Sequence, residues 1–349
     1  METLAAGVWR TLSVAAPNSV LVAHGGSNRS LPWWLPGAMA RIARLVMGRR
    51  VDRVLTGDAV MWATAWPLLR LLHVPSATMV LGLDMTYSNR AYQAVVSRAL
   101  RRAEVVIAIS EATAVIARDL GIPPERVHVV RLGVDAPAVT LEQRCEARAR
   151  LNASLATTDD HVLLLALGRV VRRKGTVWFL RNVLPKLPHR MVFVVAGDGR
   201  DVPQVHRAVA ELGLHEQVRL LGQVDDTERE LLLRGADLFV QPNIPVPGDM
   251  EGFGLVTIEA SMRGLPVVAA DLEGLAEAVV DKVTGILLPS GDADAWIAEL
   301  TRLAADCDRL AAQGQAFQEA ARGRYSERIM GEDLLRVLGL ESAPTGVGK

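Results

Sequence analysis

Cysteine is nearly absent: Cys145 and Cys307 are the only two in 349 residues. They lie far apart, in no CxxC and beside no histidine cluster, which excludes a disulfide framework and a zinc site and points to a reducing, cytoplasmic setting. Aromatic residues make up 4% of the chain, and lysine supplies four of the 39 basic side chains, arginine the rest. That bias, with abundant alanine, carries no functional weight. No apolar run continues far enough to span a bilayer before Pro, Arg or Gly interrupts it, and the opening METLAAGVWRTLS has neither a basic n-region nor a sustained apolar stretch. Neither a membrane span nor a signal peptide is expected. Net charge is lacking too, with 39 basic against 39 acidic residues, while half the residues are apolar. Those figures exclude disorder and a surface built to hold nucleic acid.

The length suits two domains of ordinary size. Charge divides along the same line: residues 1–137 hold 15 Arg against 9 acidic residues, net +6, and the remainder is net −6. Short β-branched runs alternate with helical stretches. Ser19–Ala23, Arg53–Thr56, Thr78–Leu81, Val105–Ile109 and Val127–Arg131 read as buried parallel strands. A second series follows at His161–Leu167, Met191–Ala196, Val218–Leu221, Leu238–Gln241, Val267–Ala269 and Gly285–Leu288, and the stretch from Asp292 to Leu340 reads as helices. The fold class expected is α/β, with two doubly wound Rossmann-like domains, 1–137 and 138–325, facing across a cleft with ligand at the carboxyl ends of the strands.

Two segments carry chemistry. The strand His161–Leu167 empties into Gly168-Arg169-Val170-Val171-Arg172-Arg173-Lys174-Gly175. A strand-end loop rich in cations suits a diphosphate: Arg169 offers a bidentate fork and Lys174 a point charge for the negative charge that develops as a pyrophosphate departs from a sugar. Taken alone, such a loop is more simply a solvated surface. It does not stand alone, because Glu251-Gly252-Phe253-Gly254-Leu255-Val256 leads into a helix that carries Glu259, eight residues after Glu251. With the helix starting near Gly254, its free amides aim at phosphates, and Gly252 and Gly254 let backbone approach a sugar. A carboxylate accepts hydrogen bonds from sugar hydroxyls and is repelled by a diphosphate, which puts Glu251 on a hexose and Glu259 on a ribose. Taken singly, Glu251 reads as an exposed loop acid and Glu259 as an ordinary first-turn helix carboxylate. A glycosidase pair is rejected, since retaining hydrolases hold their carboxyls about 5 to 5.5 Å apart across the bond.

Gly168-Arg169 with Lys174, Val195-Ala196-Gly197-Asp198-Gly199, and Glu251 to Glu259 as E-x7-E together resemble retaining glycosyltransferases of family 4. Ser110-Glu111-Ala112-Thr113 and Leu132-Gly133-Val134-Asp135 extend the likeness, which covers residues 74–320. The resemblance implies the GT-B fold, with residues 326–349 a helix crossing back to the first domain and a tail. It implies retaining, metal-independent transfer of a hexose from a nucleoside-diphosphate sugar, which is a substrate, with no cofactor. Arg169, Lys174 and Glu251 are then catalytic, and Gly168, Gly197, Gly252, Phe253, Gly254, Leu255, Val256 and Glu259 bind the donor. The resemblance also implies that the leaving phosphate deprotonates the acceptor, a hydroxyl of a glycan or lipid-linked acceptor.

Two departures stand out. Relatives show His-Gly-Leu-Asp where this chain has Leu81-Gly82-Leu83-Asp84, and no first βα unit precedes Ser19, although Gly25-Gly26 could serve as its loop. Gly25, Gly26 and Asp84 are the acceptor-side candidates. The alternative reading is a catalytically weak GT-B scaffold or partner subunit that still binds nucleotide. Finally, Leu31–Arg53 sets Trp33, Trp34, Met39, Ile42 and Val46 among Arg41, Arg44, Arg49, Arg50 and Arg53. This basic amphipathic helix either packs on the sheet as a crossover or lies peripherally on the anionic inner face of a membrane.

Overall fold

The structure is a computed structural model that describes residues 2–24, 30–87 and 89–340. It divides into two compact units, residues 1–133 with 327–349, and residues 134–326.

The first unit opens with α1 (Glu2–Ala15) and α2 (Leu31–Met47). It then alternates β1 (Val54–Thr56), α3 (Ala59–Leu71), β2 (Ser76–Val80), α4 (Leu83–Thr86), α5 (Arg90–Leu100), β3 (Val105–Ala108), α6 (Glu111–Asp119) and β4 (Val127–Val129). The four strands pair in parallel in the order β1-β2-β3-β4. Polar side chains start the helices where the crossovers turn. Asp58 accepts from Met61 N–H at 2.7 Å and Ser110 from Thr113 N–H at 3.0 Å, each satisfying an orphan amide.

The stretch Ser19–Ala23, expected as a strand, is not one: it is irregular, with Val20 and Leu21 exposed. β-branched composition gives a strand only where a neighbouring ladder takes up the backbone, and β1 pairs with β2 alone. The helix expected over Leu31–Arg53 ends at Met47, where Gly48 N–H closes on Arg44 O at 2.9 Å. Its inner side, Met39, Ile42 and Val46, packs on the core of this unit. No helix among the described residues is long and apolar enough to cross a membrane.

The second unit begins with α7 (Leu141–Leu155), opened by a reciprocal cap between Thr140 and Gln143. Then come β5 (Val162–Leu167), α8 (Thr176–Asn182), β6 (Met191–Ala196), α9 (Val202–Leu212), β7 (Val218–Gly222), α10 (Asp226–Gly235), β8 (Leu238–Gln241), α11 (Leu255–Ser261), β9 (Val267–Asp271), α12 (Leu275–Ala278), β10 (Ile286–Pro289), α13 (Ala293–Ala304) and α14 (Cys307–Tyr325). The six strands are all parallel, in the order β10-β9-β8-β5-β6-β7. Helices cover both faces, so central strands such as β5 and β6 are apolar on both sides and read as continuous runs. Phe179, Phe193 and Trp296 are fully buried beneath α8 and α13, their rings packed edge-on or tilted, and each burial contributes about 2–3 kcal/mol.

After Tyr325 the chain returns to the first unit as α15 (Glu327–Leu338), which packs along α1. Arg10 on α1 forms an ion pair with Glu327 on α15.

Candidate active site

The strand order of the second unit fixes where a ligand is met. From β5 the chain winds outward through β6 to β7, then returns past β5 to β8, β9 and β10. Loops leaving the carboxyl ends of β5 and β8 therefore diverge and open a crevice, the place where doubly wound sheets take ligands. Both segments singled out in the sequence leave from these two strands.

Glycines let the loops touch. Gly175 has φ 70°, and a Cβ there would fall 1.8 Å from Pro242 O. Gly197, at φ 143°, would put a Cβ 1.9 Å from Gly168 O. In that close contact Gly168 N–H donates to Ala196 O at 2.9 Å, Val170 N–H to Asp198 O at 2.9 Å, and Ile244 N–H to Arg173 O at 2.9 Å. The loop after β5 is thus stitched to the loops after β6 and β8, and no other residue type fits at 175 or 197 without moving backbone.

Residues 172–174 form one 3-10 turn that rotates Arg173 inward and leaves Arg172 at the surface. Arg173 Nε donates to Asp249 Oδ1 at 3.0 Å and Nη1 to Glu251 Oε2 at 2.8 Å. Lys174 Nζ lies 2.7 Å from the same Oε2, and Asn243 Nδ2 donates to it at 3.3 Å. Arg200 takes the other oxygen of Asp249 at 2.9 Å. Burial pushes the Glu251 carboxyl up, but Lys174 and Arg173 outweigh it and hold the group at about 2. Burial also lowers Lys174, and Arg173 and Arg169 add to that against the pull of Glu251. Arg169, Arg173, Lys174 and Arg200 gather here against the carboxylates of Asp249, Glu251 and Glu273, so an excess of cations remains to meet a further anion although carboxylates are already inside the cluster. Arg169 is exposed and has no ion-pair partner among the described residues, which leaves its guanidinium available. The pair that closes on Glu251 is Arg173 with Lys174; Arg169 and Lys174, singled out in the sequence to meet a diphosphate, share this loop.

Backbone holds Glu251 as well: its N–H donates to Glu273 Oε2 at 2.7 Å, and its carbonyl accepts from Gly274 N–H at 3.1 Å. Gly254, at φ 73°, is the N-cap of α11, with Leu255 and Val256 half-buried in the first turn. Phe253 offers only its backbone, because its ring is buried edge-on against Tyr325. Glu259 is 4% exposed, and its Oε2 pairs with Arg229 of α10. Burial raises its carboxyl despite Arg229. Glu251 and Glu259 thus belong to separate ion networks.

A cavity of about 290 Å³ opens beside Gly197, lined by Val170, Val195, Val202, His206 and Leu220. Sequence reading passed over it, as it did Arg173, Asn243 and Asp249. Gln241, which ends β8 in an otherwise apolar run, is 3% exposed, and both its side-chain polar atoms are without a hydrogen-bond partner among the described residues. In the first unit, Asp84 has both oxygens on backbone: Oδ2 accepts from Ala59 N–H at 3.1 Å and Oδ1 from Leu81 N–H at 3.0 Å. Its carboxyl fastens the loops after β1 and β2. Gly25 and Gly26 lie outside the described residues.

Two family models match in succession: "Glycosyltransferase Family 4" over residues 12–136 and "Glycosyl transferases group 1" over residues 161–306. Among curated proteins, D-inositol 3-phosphate glycosyltransferase 1 of Catenulispora acidiphila is 36% identical over 221 residues, 60% of this chain and 51% of the relative. D-inositol 3-phosphate glycosyltransferase of Xylanimonas cellulosilytica is 33% identical over 244 residues, 66% of this chain and 56% of the relative. The chain thus spans about half the length of the curated relatives it matches. Among solved structures, Anabaena Alr3699/HepE in complex with UDP superposes with TM-score 0.73 at 20% identity over 87% of this chain and 82% of that one. Sucrose-phosphate synthase from Thermosynechococcus elongatus does so with TM-score 0.74 at 18% identity over 95% and 91%. The parallel sheets, their order and these superpositions show the GT-B fold. With the two family models matching the two units in sequence order, the chain belongs to the group 1, family 4 glycosyltransferases.

Proposed function

We propose that this chain transfers a hexose from a nucleoside-diphosphate sugar to a hydroxyl of a glycan or lipid-linked acceptor, with retention at the anomeric carbon and without a metal ion. The observation that carries the reading is Glu251 held between Lys174 and Arg173 at the switch point of the second sheet. Lys174 and the unpaired Arg169 meet the leaving diphosphate, supplying from protein the charge a metal would otherwise bring. Glu251 keeps Oε1 free of partners among the described residues, an oxygen for the sugar hydroxyls. Glu259 likewise gives Oε2 to Arg229 and has Oε1 for the ribose. Backbone of Gly168, Gly197 and Gly252–Val256 borders the phosphates, and the base enters the cavity beside Gly197. In the transfer the bond from the anomeric carbon to the diphosphate oxygen breaks, the acceptor oxygen bonds to that carbon on the same face, and the acceptor proton passes to the leaving phosphate.

The test is a titration of the purified protein with nucleoside diphosphates and their sugars, uridine first because HepE was solved with UDP and UDP-glucose. Acceptors include inositol phosphates, after the names of the curated relatives. The expected result is tight binding of one base, slow donor hydrolysis, undiminished turnover in chelator, and a product with the donor's anomeric configuration. A second reading, a nucleotide-binding scaffold or partner subunit, is favoured by Leu81 in place of the family imidazole and by Asp84 being committed to backbone. It predicts binding with no turnover. Absence of binding would overturn both.

Membrane docking completes the proposal: a cytoplasmic protein held peripherally at the inner membrane face. With Met39, Ile42 and Val46 committed to the core, the outward face of α2 still presents Trp33, 88% exposed, and Met47, 66% exposed, beside exposed Arg41 and Arg44. That combination suits an anionic interface. Replacing Arg41, Arg44 and Arg49 by Glu reverses three charges and lowers the net charge by six, and the expected result is release from anionic vesicles in a pelleting assay. Equal pelleting of the variant and the parent would remove the membrane from the proposal.

A further inference from the structure

Glu273 stands in a conformation that costs it something. Its φ is 50°, in the left-handed region where a side chain is disfavoured and glycine is not. It leads the turn Glu273-Gly274 after β9, and that turn presses on the loop carrying Glu251. A Cβ on Gly274 would lie 2.3 Å from Gly252 O and 2.7 Å from Glu251 O. A turn this close could be made by two glycines with less strain. The chain instead keeps a carboxylate, and that carboxylate accepts the Glu251 N–H at 2.7 Å while Gly274 N–H donates to Glu251 O at 3.1 Å. The peptide groups on both sides of Glu251 are thereby fixed.

The placement also works against the charge of Glu273. Burial raises its carboxyl, and the neighbouring Glu251 and Asp249 raise it further, against the Glu251 amide and Arg173. Backbone strain and like-charge crowding at one residue, with a single short hydrogen bond as the return, mark a device kept for what it holds.

We propose that Glu273 is a positioning residue: its carboxylate locks the backbone of Glu251 so that the Glu251 side chain is presented to the donor sugar at a fixed angle between Lys174 and Arg173. This rests on the transferase reading above for its effect on turnover, but not for its effect on the loop. A hydrogen bond to an ionised acceptor sets the rotation of the loop about Glu251, and a misaimed orienting group costs rate more than it costs nucleotide binding.

The experiment compares Glu273→Gly with Glu273→Gln by two readouts. Amide hydrogen exchange of the segment 249–254 needs no substrate, and Glu273→Gly is expected to lose protection at the Glu251 amide while Glu273→Gln, whose amide oxygen still accepts, retains it. In transfer assays Glu273→Gly is expected to lose kcat by at least about tenfold with donor KM within about twofold, although its melting temperature does not fall, because glycine relieves the strain. Glu273→Gln is expected to stay within about threefold of the parent. A purely structural Glu273 would give Glu273→Gly full activity with its added stability, and that result, or unchanged exchange at Glu251, would overturn the proposal. If the parent itself turns over no donor, the transferase reading fails while the exchange result still decides whether Glu273 holds the loop.

Discussion

Lys174→Ala lowers kcat/KM by about a thousandfold and weakens nucleoside-diphosphate binding by about tenfold or more, the larger loss falling on the step in which the diphosphate departs. The ammonium stands beside Glu251 Oε2 at 2.7 Å, with Arg173 sharing that oxygen and Arg169 close enough to depress Lys174. Removing it subtracts a charge from the proposed phosphate site and leaves Glu251 with one close cation instead of two. The second consequence has its own readout. Glu251 titrates at about 2 in the folded protein against an ordinary value of 4.5. A depressed carboxylate contributes stability that is fully present above its ordinary value and is lost as pH falls through the folded one. Without Lys174 the folded value climbs, so the variant lacks part of this stability above about pH 5 and has less to lose on acidification, and the parent's melting temperature falls more steeply than the variant's as pH drops from about 5 toward 2. Isothermal titration and a pH series of melting curves check both, and a Lys174→Ala protein with parental turnover would remove the diphosphate from this loop.

The second unit was largely legible because parallel strands covered on both faces are unbroken apolar runs, and each of its six was placed within two residues. The glycines of the loops after β5 and β6 were legible for a related reason, since tight backbone approach excludes other residue types. Ser19–Ala23 misled because strand propensity shows in a sequence and a missing ladder does not. Arg173 was hidden in a run of three cations: only the pitch of the 3-10 turn decides that the middle one points inward. Gln241 left a trace that went unread, a polar residue closing the buried run Leu-Phe-Val-Gln at a carboxyl end. Glu273 left none, because a non-glycine residue at positive φ has no pattern in sequence. The packing of α15 against α1 depends on pairs more than 300 residues apart, such as Arg10 with Glu327, which no local period reveals.

Glu251→Gln separates the sugar from the phosphate. Glutamine keeps the shape and an acceptor oxygen, but it cannot carry the charge that Arg173 and Lys174 share at Oε2. If Glu251 orients the donor sugar, kcat falls by about a thousandfold. The unliganded variant is also less stable, since buried Arg173 and half-buried Lys174 lose their common carboxylate and Arg173 keeps only Asp249. A bound diphosphate then supplies the missing negative charge, so nucleoside-diphosphate affinity holds or tightens, and the nucleotide raises the variant's melting temperature more than the parent's. Parallel loss of binding and turnover would instead place Glu251 in the phosphate site. The pair with Lys174→Ala closes the argument. Because both side chains meet at one oxygen, the double variant loses less than the product of the single losses, and a fully multiplicative result would show that the ion pair has no part in transfer.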